Sequence, residues 1–170
     1  EHLKYERLTP DQEKNYYALE IRKNMCDQIR TIFPSIQVIQ GDCQQRIDFA
    51  DGSFDRIIAI HVLEHLVNLP AALQELHRLC NKQQGRLYVV IPAEGSMAYG
   101  LARKISAQRI FEKRYKQSYK WFIEREHINR PKEIFEELDA YFHVVSKKYF
   151  PIPMPLLFCN LIVGITLRPR

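Results

Sequence analysis

Hydrophobic and polar positions along the chain follow two periods, and the alternation between them predicts its elements. Short apolar runs bounded by turn residues occur at Tyr16–Ile21 (YYALEI), SIQVIQGDC, Arg56–Ile60 (RIIAI) and RLYVVI, and each predicts a strand. RIIAI and RLYVVI are apolar enough to predict burial on both faces, as in a parallel sheet. Between these runs the period lengthens. RKNMCDQIRTIF predicts a helix stopped by Pro34. After Pro70, Ala72, Leu73, Leu76, Leu79 and Cys80 recur at helical spacing. Strand, helix, strand, helix, strand predicts parallel pairing through crossover helices. The second half differs: Leu101–Phe122 predicts one long basic and aromatic helix, and PKEIFEELDAYF a helix led by proline. HVVSKKYF and LLFCNLIVGITL then predict two strands joined by a Pro-rich turn, an antiparallel pair at a sheet edge.

Composition narrows the class. The 170 residues suffice for one domain with a real core, and 46% hydrophobic residues argue against disorder. No repeat or low-complexity linker interrupts residues 1–170, so the expectation is a single domain with a basic helical insertion at about 97–130. Cys26, Cys43, Cys80 and Cys159 lie far apart without a C-x-x-C pair, which suits reduced, buried thiols and a cytoplasmic location. EHLKYERLTP lacks the apolar core of a signal peptide, and MPLLFCNLIVGITL is too short to span a membrane. A net charge of +5 does not by itself identify a partner.

One motif invites a specific chemistry. HVLEH, His61–His65, matches the H-x-x-E-H of zinc proteases, which requires both histidines on one face of a helix and a third ligand downstream. Here the five preceding residues form the RIIAI strand and the turn former DGS lies before them, so His61 falls at a strand end. The expectation is therefore no metal site, with Glu64 and His65 orienting a loop.

The order and spacing of GDC, DGSFD, HVLEHL and AALQELHRLCNKQQGRLYVVIP resemble the class I S-adenosylmethionine-dependent methyltransferases of the type 11 group. The likeness is close over residues 16–95 and looser over 127–168. It implies a three-layer α/β/α Rossmann-like fold, with a mostly parallel sheet and an antiparallel C-terminal strand pair. The family's first strand and its Gly-rich loop have no counterpart here, and Glu1–Lys4 looks like the start of the helix that follows that loop. The expectation is thus a chain that begins just after the loop, with a gap or a substitute neighbour where the first strand would pair.

The resemblance also implies S-adenosylmethionine as cofactor and assigns residues to it. Glu20, with Ile21 beside it, stands where an acid accepts from both ribose hydroxyls. Asp42 stands where a carboxylate accepts from the adenine amino group, with the Cys43 N–H beside a ring nitrogen. Ile60 lines the floor, and His61 follows it. Methyl transfer to an oxygen gains from a general base, and His61 and His127 are the candidates. The insertion, rich in Arg103, Lys104, Arg109, Lys113, Arg114, Lys116 and Lys120, fits a lid that attracts an acceptor. That acceptor would be a small molecule or a carrier-linked one, including anionic sugar or lipid precursors; contact with an anionic membrane surface is a further option. Its aromatic members, Phe111, Tyr115, Trp121 and Phe122, are expected with Leu101 and Ile105 on the helix's apolar side. No N-P-P-Y-like motif follows RIIAI, which argues against nucleic acid as acceptor. The alternatives are a non-catalytic methyltransferase-like binding module and an RNA methyltransferase. Oligomeric state is not legible.

Overall fold

The computed structural model describes residues 2–105 and 107–170; Glu1 and Ser106, which fall within the expected N-terminal and basic helices, lie outside the described residues. The chain falls into two compact units, Glu1–Ile47 and Asp48–Arg170.

In the first unit, His2–Lys4 forms a single 3-10 turn. Helix α1 (Pro10–Lys14) follows, started by a reciprocal capping box between Thr9 and Gln12 with Pro10 in the first turn. Strand β1 (Tyr17–Glu20), helix α2 (Lys23–Ile32) and strand β2 (Gln37–Gln40) make one crossover unit, and β1 and β2 pair in parallel, Glu20 opposite Gln40. Cys26 is the buried residue of α2, and Arg30 ties the helix to β2 through the Val38 carbonyl (3.1 Å).

The second unit begins with strand β3 (Arg56–Ile60), then a 3-10 turn over Leu63–His65, helix α3 (Leu69–Leu79) and strand β4 (Arg86–Pro92). Asn68 caps α3 by accepting from the Ala71 N–H, and Leu69, Ala72, Leu73, Leu76 and Leu79 form its buried stripe. Gly85 closes the NKQQG turn where a side chain cannot fit, since a Cβ would lie 2.4 Å from the Asn81 carbonyl oxygen. Helices α4 (Met97–Ile105), α5 (Ala107–Tyr115), α6 (Tyr119–Glu126) and α7 (Pro131–Tyr141) come next, and strands β5 (Phe142–Phe150) and β6 (Ile162–Pro169) close the chain.

The strand order of this sheet is β3-β4-β6-β5, with β3 and β4 parallel and β6 antiparallel to both its neighbours. Leu87, Val89 and Ile91 of β4 and Val163, Ile165 and Leu167 of β6 are buried and form the sheet's side of the core. Helix α7 packs on α3 and adds Ile134 and Leu138. Edge strand β5 is exposed over most of its length and bulges between Val144 and Ser146, which protects an open edge.

Three expectations need correction. RIIAI is not buried on both faces: only Ala59 is, and Ile60 is 37% exposed, because among the described residues β3 pairs on one side alone. The long basic helix is three helices. Lys116 adopts a left-handed backbone (φ 55°) that ends α5, and the Ser118 hydroxyl starts α6 by accepting from the Trp121 N–H. Nor are all four cysteines buried: Cys43 and Cys159 are partly exposed, and all four thiols are free. Each unit carries its own sheet, β1-β2 in the first and β3-β4-β6-β5 in the second.

Candidate functional site

Two parallel strands in one sheet end on the same side, so residues just past those ends gather side chains for a ligand. In the first unit, β1 delivers Glu20 and β2 delivers Gly41, Asp42 and Cys43. The Glu20 Oε1 accepts from the Arg22 main-chain N–H (2.9 Å) and Nε–H (3.0 Å). The Ile21 main-chain N–H also favours the ionised carboxyl. Burial would raise this carboxyl, but the Arg22 hydrogen bonds and charge hold it below the usual glutamate range. At neutral pH it is an anion.

Asp42 is differently placed. Its Oδ1 accepts from the Gln44 N–H (2.9 Å), an Asx turn, and both oxygens receive the Gln44 amide at 3.1 Å. Burial, and then the Asp42 charge, push the Cys43 thiol up to about 11. Ile21 is exposed. A ribose diol is thus well matched by Glu20, whereas Asp42 must share its oxygens with Gln44 to receive an adenine amino group.

In the second unit, β3 and β4 end side by side. The His61 N–H still donates to the Val90 carbonyl (2.9 Å), but its φ of 52° turns the chain sharply out of the sheet. His61 Nδ1–H donates to Glu64 Oε1 (3.0 Å), and Glu64 is 1% exposed with its Oε2 unpartnered among the described residues. The turn is clamped from the far side. The Glu64 carbonyl accepts from the Ile128 and Asn129 N–H groups, and the Asn129 amide donates to the Leu63 and Leu66 carbonyls (2.9 and 2.7 Å). His65 Nδ1–H donates to the Glu126 carbonyl (2.7 Å). The H-x-x-E-H residues are therefore a left-handed position and a 3-10 turn, with both Nδ1 atoms engaged, rather than one face of an α-helix.

His127 stands in the same clamp. Its ring lies edge-on to His65, centroids 4.7 Å apart, and its Nδ1–H donates to Glu94 Oε1 at 2.6 Å. With the proton held on Nδ1, Nε2 is left as the acceptor nitrogen. Glu94 follows β4 and also faces Arg103 of α4 (3.8 Å). The Arg103 guanidinium lies over the rings of Tyr99 and Tyr119. Burial, then the Glu94 charge, push the Tyr99 hydroxyl up to about 12, and burial raises Tyr119 as well. Both phenols stay neutral donors at physiological pH.

The sequence reading put His61 at a strand end and His127 in the REHIN segment, and the structure joins His61 to Glu64 and His127 to Glu94, carboxylates not singled out for that role. Glu94 was missed altogether; its only signal is an acid two residues past the strand-ending Pro92.

Residues 3–89 match the methyltransferase domain family of type 11. No curated protein matches the chain. Similar solved structures include a protein of Pyrococcus horikoshii (TM-score 0.66, 14% identity, 91% of this chain and 71% of that one). A S-adenosylmethionine-dependent methyltransferase from Thermotoga maritima is also similar (TM-score 0.60, 20% identity, 90% and 72%). So is the trans-methyltransferase CalH in complex with S-adenosylhomocysteine (TM-score 0.61, 17% identity, 91% and 42%). These likenesses establish a Rossmann-like α/β methyltransferase fold.

Proposed function

The chain belongs to the class I S-adenosylmethionine-dependent methyltransferases of type 11, and from that premise we propose that it methylates a small or carrier-linked acceptor of anionic character. The cofactor supplies a methyl group already activated on a sulfonium, so the protein's tasks are alignment, exclusion of water and management of the acceptor's proton. Within the first unit, Glu20 takes the ribose hydroxyls, with Ile21 beside it, and Asp42 with the Cys43 N–H takes the adenine edge. In the second unit, Ile60 and His61 are the residues assigned to the cofactor.

His127 is the general base of this reading, and the observation that carries it is the 2.6 Å hydrogen bond to Glu94. A carboxylate that fixes the proton on Nδ1 leaves Nε2 free to receive a proton from an acceptor hydroxyl. His61, held by Glu64, is the second candidate. The neutral phenols of Tyr99 and Tyr119 supply donors on the same side. Exposed basic residues of the insertion, Arg109 and Lys113, which have no acidic partner among the described residues, support an anionic acceptor such as a phosphate-linked sugar or lipid precursor. We assign residues 1–170 to one methyltransferase domain with residues 97–130 as its insertion. Four free thiols support a reducing, cytoplasmic setting. Among the described residues no helix is long and apolar enough to cross a membrane.

The engagement of Asp42 by Gln44 favours a second reading, a methyltransferase-like module that binds without turnover. Incubation with methyl-labelled S-adenosylmethionine and an extract of metabolites and lipids separates the two. The transferase reading predicts a labelled product lost with His127→Ala; cofactor binding without labelled product would support the module.

A further inference from the structure

We propose that helix α4 and the 3-10 turn at Leu157–Cys159 form a docking face for an anionic phospholipid bilayer. The face begins as an inversion of the usual helix pattern. Along α4 the residues at i, i+4 and i+8 are Met97, Leu101 and Ile105, and they are the exposed ones, at 80%, 61% and 57%. Inward-facing helices bury such a stripe; this one presents it. The opposite side of α4 carries Tyr99 and Arg103; Arg103 lies over the Tyr99 and Tyr119 rings and faces Glu94. The orientation is therefore fixed by the site side of the helix.

A second element extends the apolar face. Helix α4 packs against the Leu157–Cys159 turn, where Leu157 and Phe158 are exposed, and Met154 is exposed just upstream. Asn160 anchors both. Its carbonyl accepts from the Ser96 hydroxyl (2.8 Å), whose oxygen in turn accepts from the Tyr99 N–H at the start of α4. Its buried side chain holds the Ile152–Leu156 loop through Ile152, Met154 and Leu156. The apolar residues thus sit on a braced support.

Charge selects the occupant. Lys104 lies in the exposed face of α4, and Arg109, Lys113 and Arg114 are exposed on α5, which packs against α4. Among the described residues none of these four has an acidic partner. Apolar side chains rimmed by unpaired cations match a bilayer with anionic headgroups, since insertion and attraction are both available. A second copy of the same face would be repelled by its own charge. RNA would need free aromatic platforms. Here Phe111 is stacked on Phe122, and Arg125 covers the Trp121 ring at 4.3 Å, so the exposed apolar groups of the face are mainly aliphatic.

The test is vesicle flotation of the full chain, which requires neither the acceptor nor methyl transfer; its failure leaves the transferase reading intact. Vesicles containing phosphatidylglycerol should bind at least about tenfold more tightly than pure phosphatidylcholine, because each basic residue near an anionic surface contributes roughly a factor of five. Leu101→Asp with Ile105→Asp changes only exposed positions, so the melting temperature should hold while partition falls about tenfold or more. Lys104→Glu with Arg109→Glu should abolish the preference for anionic vesicles. Equal binding to both vesicles, or partition indifferent to the aspartate pair, overturns the proposal. So does self-association that the aspartate pair abolishes. Tighter binding to a polyuridine probe than to anionic vesicles would overturn it in favour of nucleic acid.

Discussion

Asn129→Ala is the perturbation that most directly tests how the second unit builds its site. The Asn129 amide donates to the Leu63 and Leu66 carbonyls at 2.9 and 2.7 Å, on either side of the turn that carries Glu64 and His65. Each such bond contributes about 0.5–1.5 kcal/mol net, and a carbonyl left buried without a donor costs about 1–3 kcal/mol. Leu63, Glu64 and Leu66 are buried, so water reaches the vacated carbonyls poorly. Alanine should therefore cost about 2–3 kcal/mol. For a chain of this size that lowers the melting temperature by roughly 5–10 °C. Asn129→Asp is the sharper variant: it keeps the shape but faces two carbonyl oxygens with an acceptor, so it should destabilise more than alanine. Trp121, the only tryptophan, lies on α6 in the same unit, so its fluorescence follows unfolding there. A loss below about 0.5 kcal/mol for alanine, or aspartate tolerated better than alanine, would refute the clamp.

Glu94→Gln should lower kcat by about 10–100-fold with little change in the acceptor's KM, because the amide no longer fixes the His127 tautomer. Nitrogen NMR of the His127 ring should show that loss directly, and an unchanged tautomer would remove Glu94 from the positioning role. The Cys43 thiol, raised to about 11, should react with a thiol reagent at pH 8 far more slowly than Cys159; equal rates would contradict its partly buried, Asp42-flanked setting. Because the Glu20 carboxyl is held low in the folded chain, its pairing with Arg22 adds stability that is complete above the ordinary glutamate value. That stability fades as the pH drops through the lowered one, and Glu20→Gln should flatten the acid side of the stability curve.

Legibility followed locality. β3 was readable to the residue because four consecutive apolar positions, three of them isoleucine, follow Arg56 between a DGS turn and a polar motif. α3 was readable because Pro70 and a five-residue apolar stripe agree. The break in the basic stretch was not. RKISAQRIFEKRYKQ holds no proline or glycine, and the left-handed Lys116 answers to the packing of Phe111 on Tyr119 and Phe122 rather than to local propensity. Ser118, three residues ahead of the Trp121 N–H it caps, was the available clue. The outward apolar stripe of α4 could not be told from an inward one, since periodicity gives a face but not its direction. That Glu20 ends one strand and Asp42 follows the next was legible from the apolar runs; their part in cofactor binding is what the resemblance implies. Glu94 was not legible, because a lone acid after Pro92 shows its meaning only when His127, 33 residues on, folds against it.

The central claim, a methyltransferase whose first unit receives the adenosyl cofactor through Glu20, is tested most directly by calorimetric titration with S-adenosylmethionine. The titration should be run on this chain with and without Glu20→Ala. Two charge-assisted hydrogen bonds to ribose, each worth about 1.5–3 kcal/mol, predict more than a tenfold loss of affinity for Glu20→Ala. The loss for Asp42→Ala should be smaller, since Gln44 already occupies that carboxylate. Affinity indifferent to Glu20→Ala, or no binding by the chain, would contradict the account.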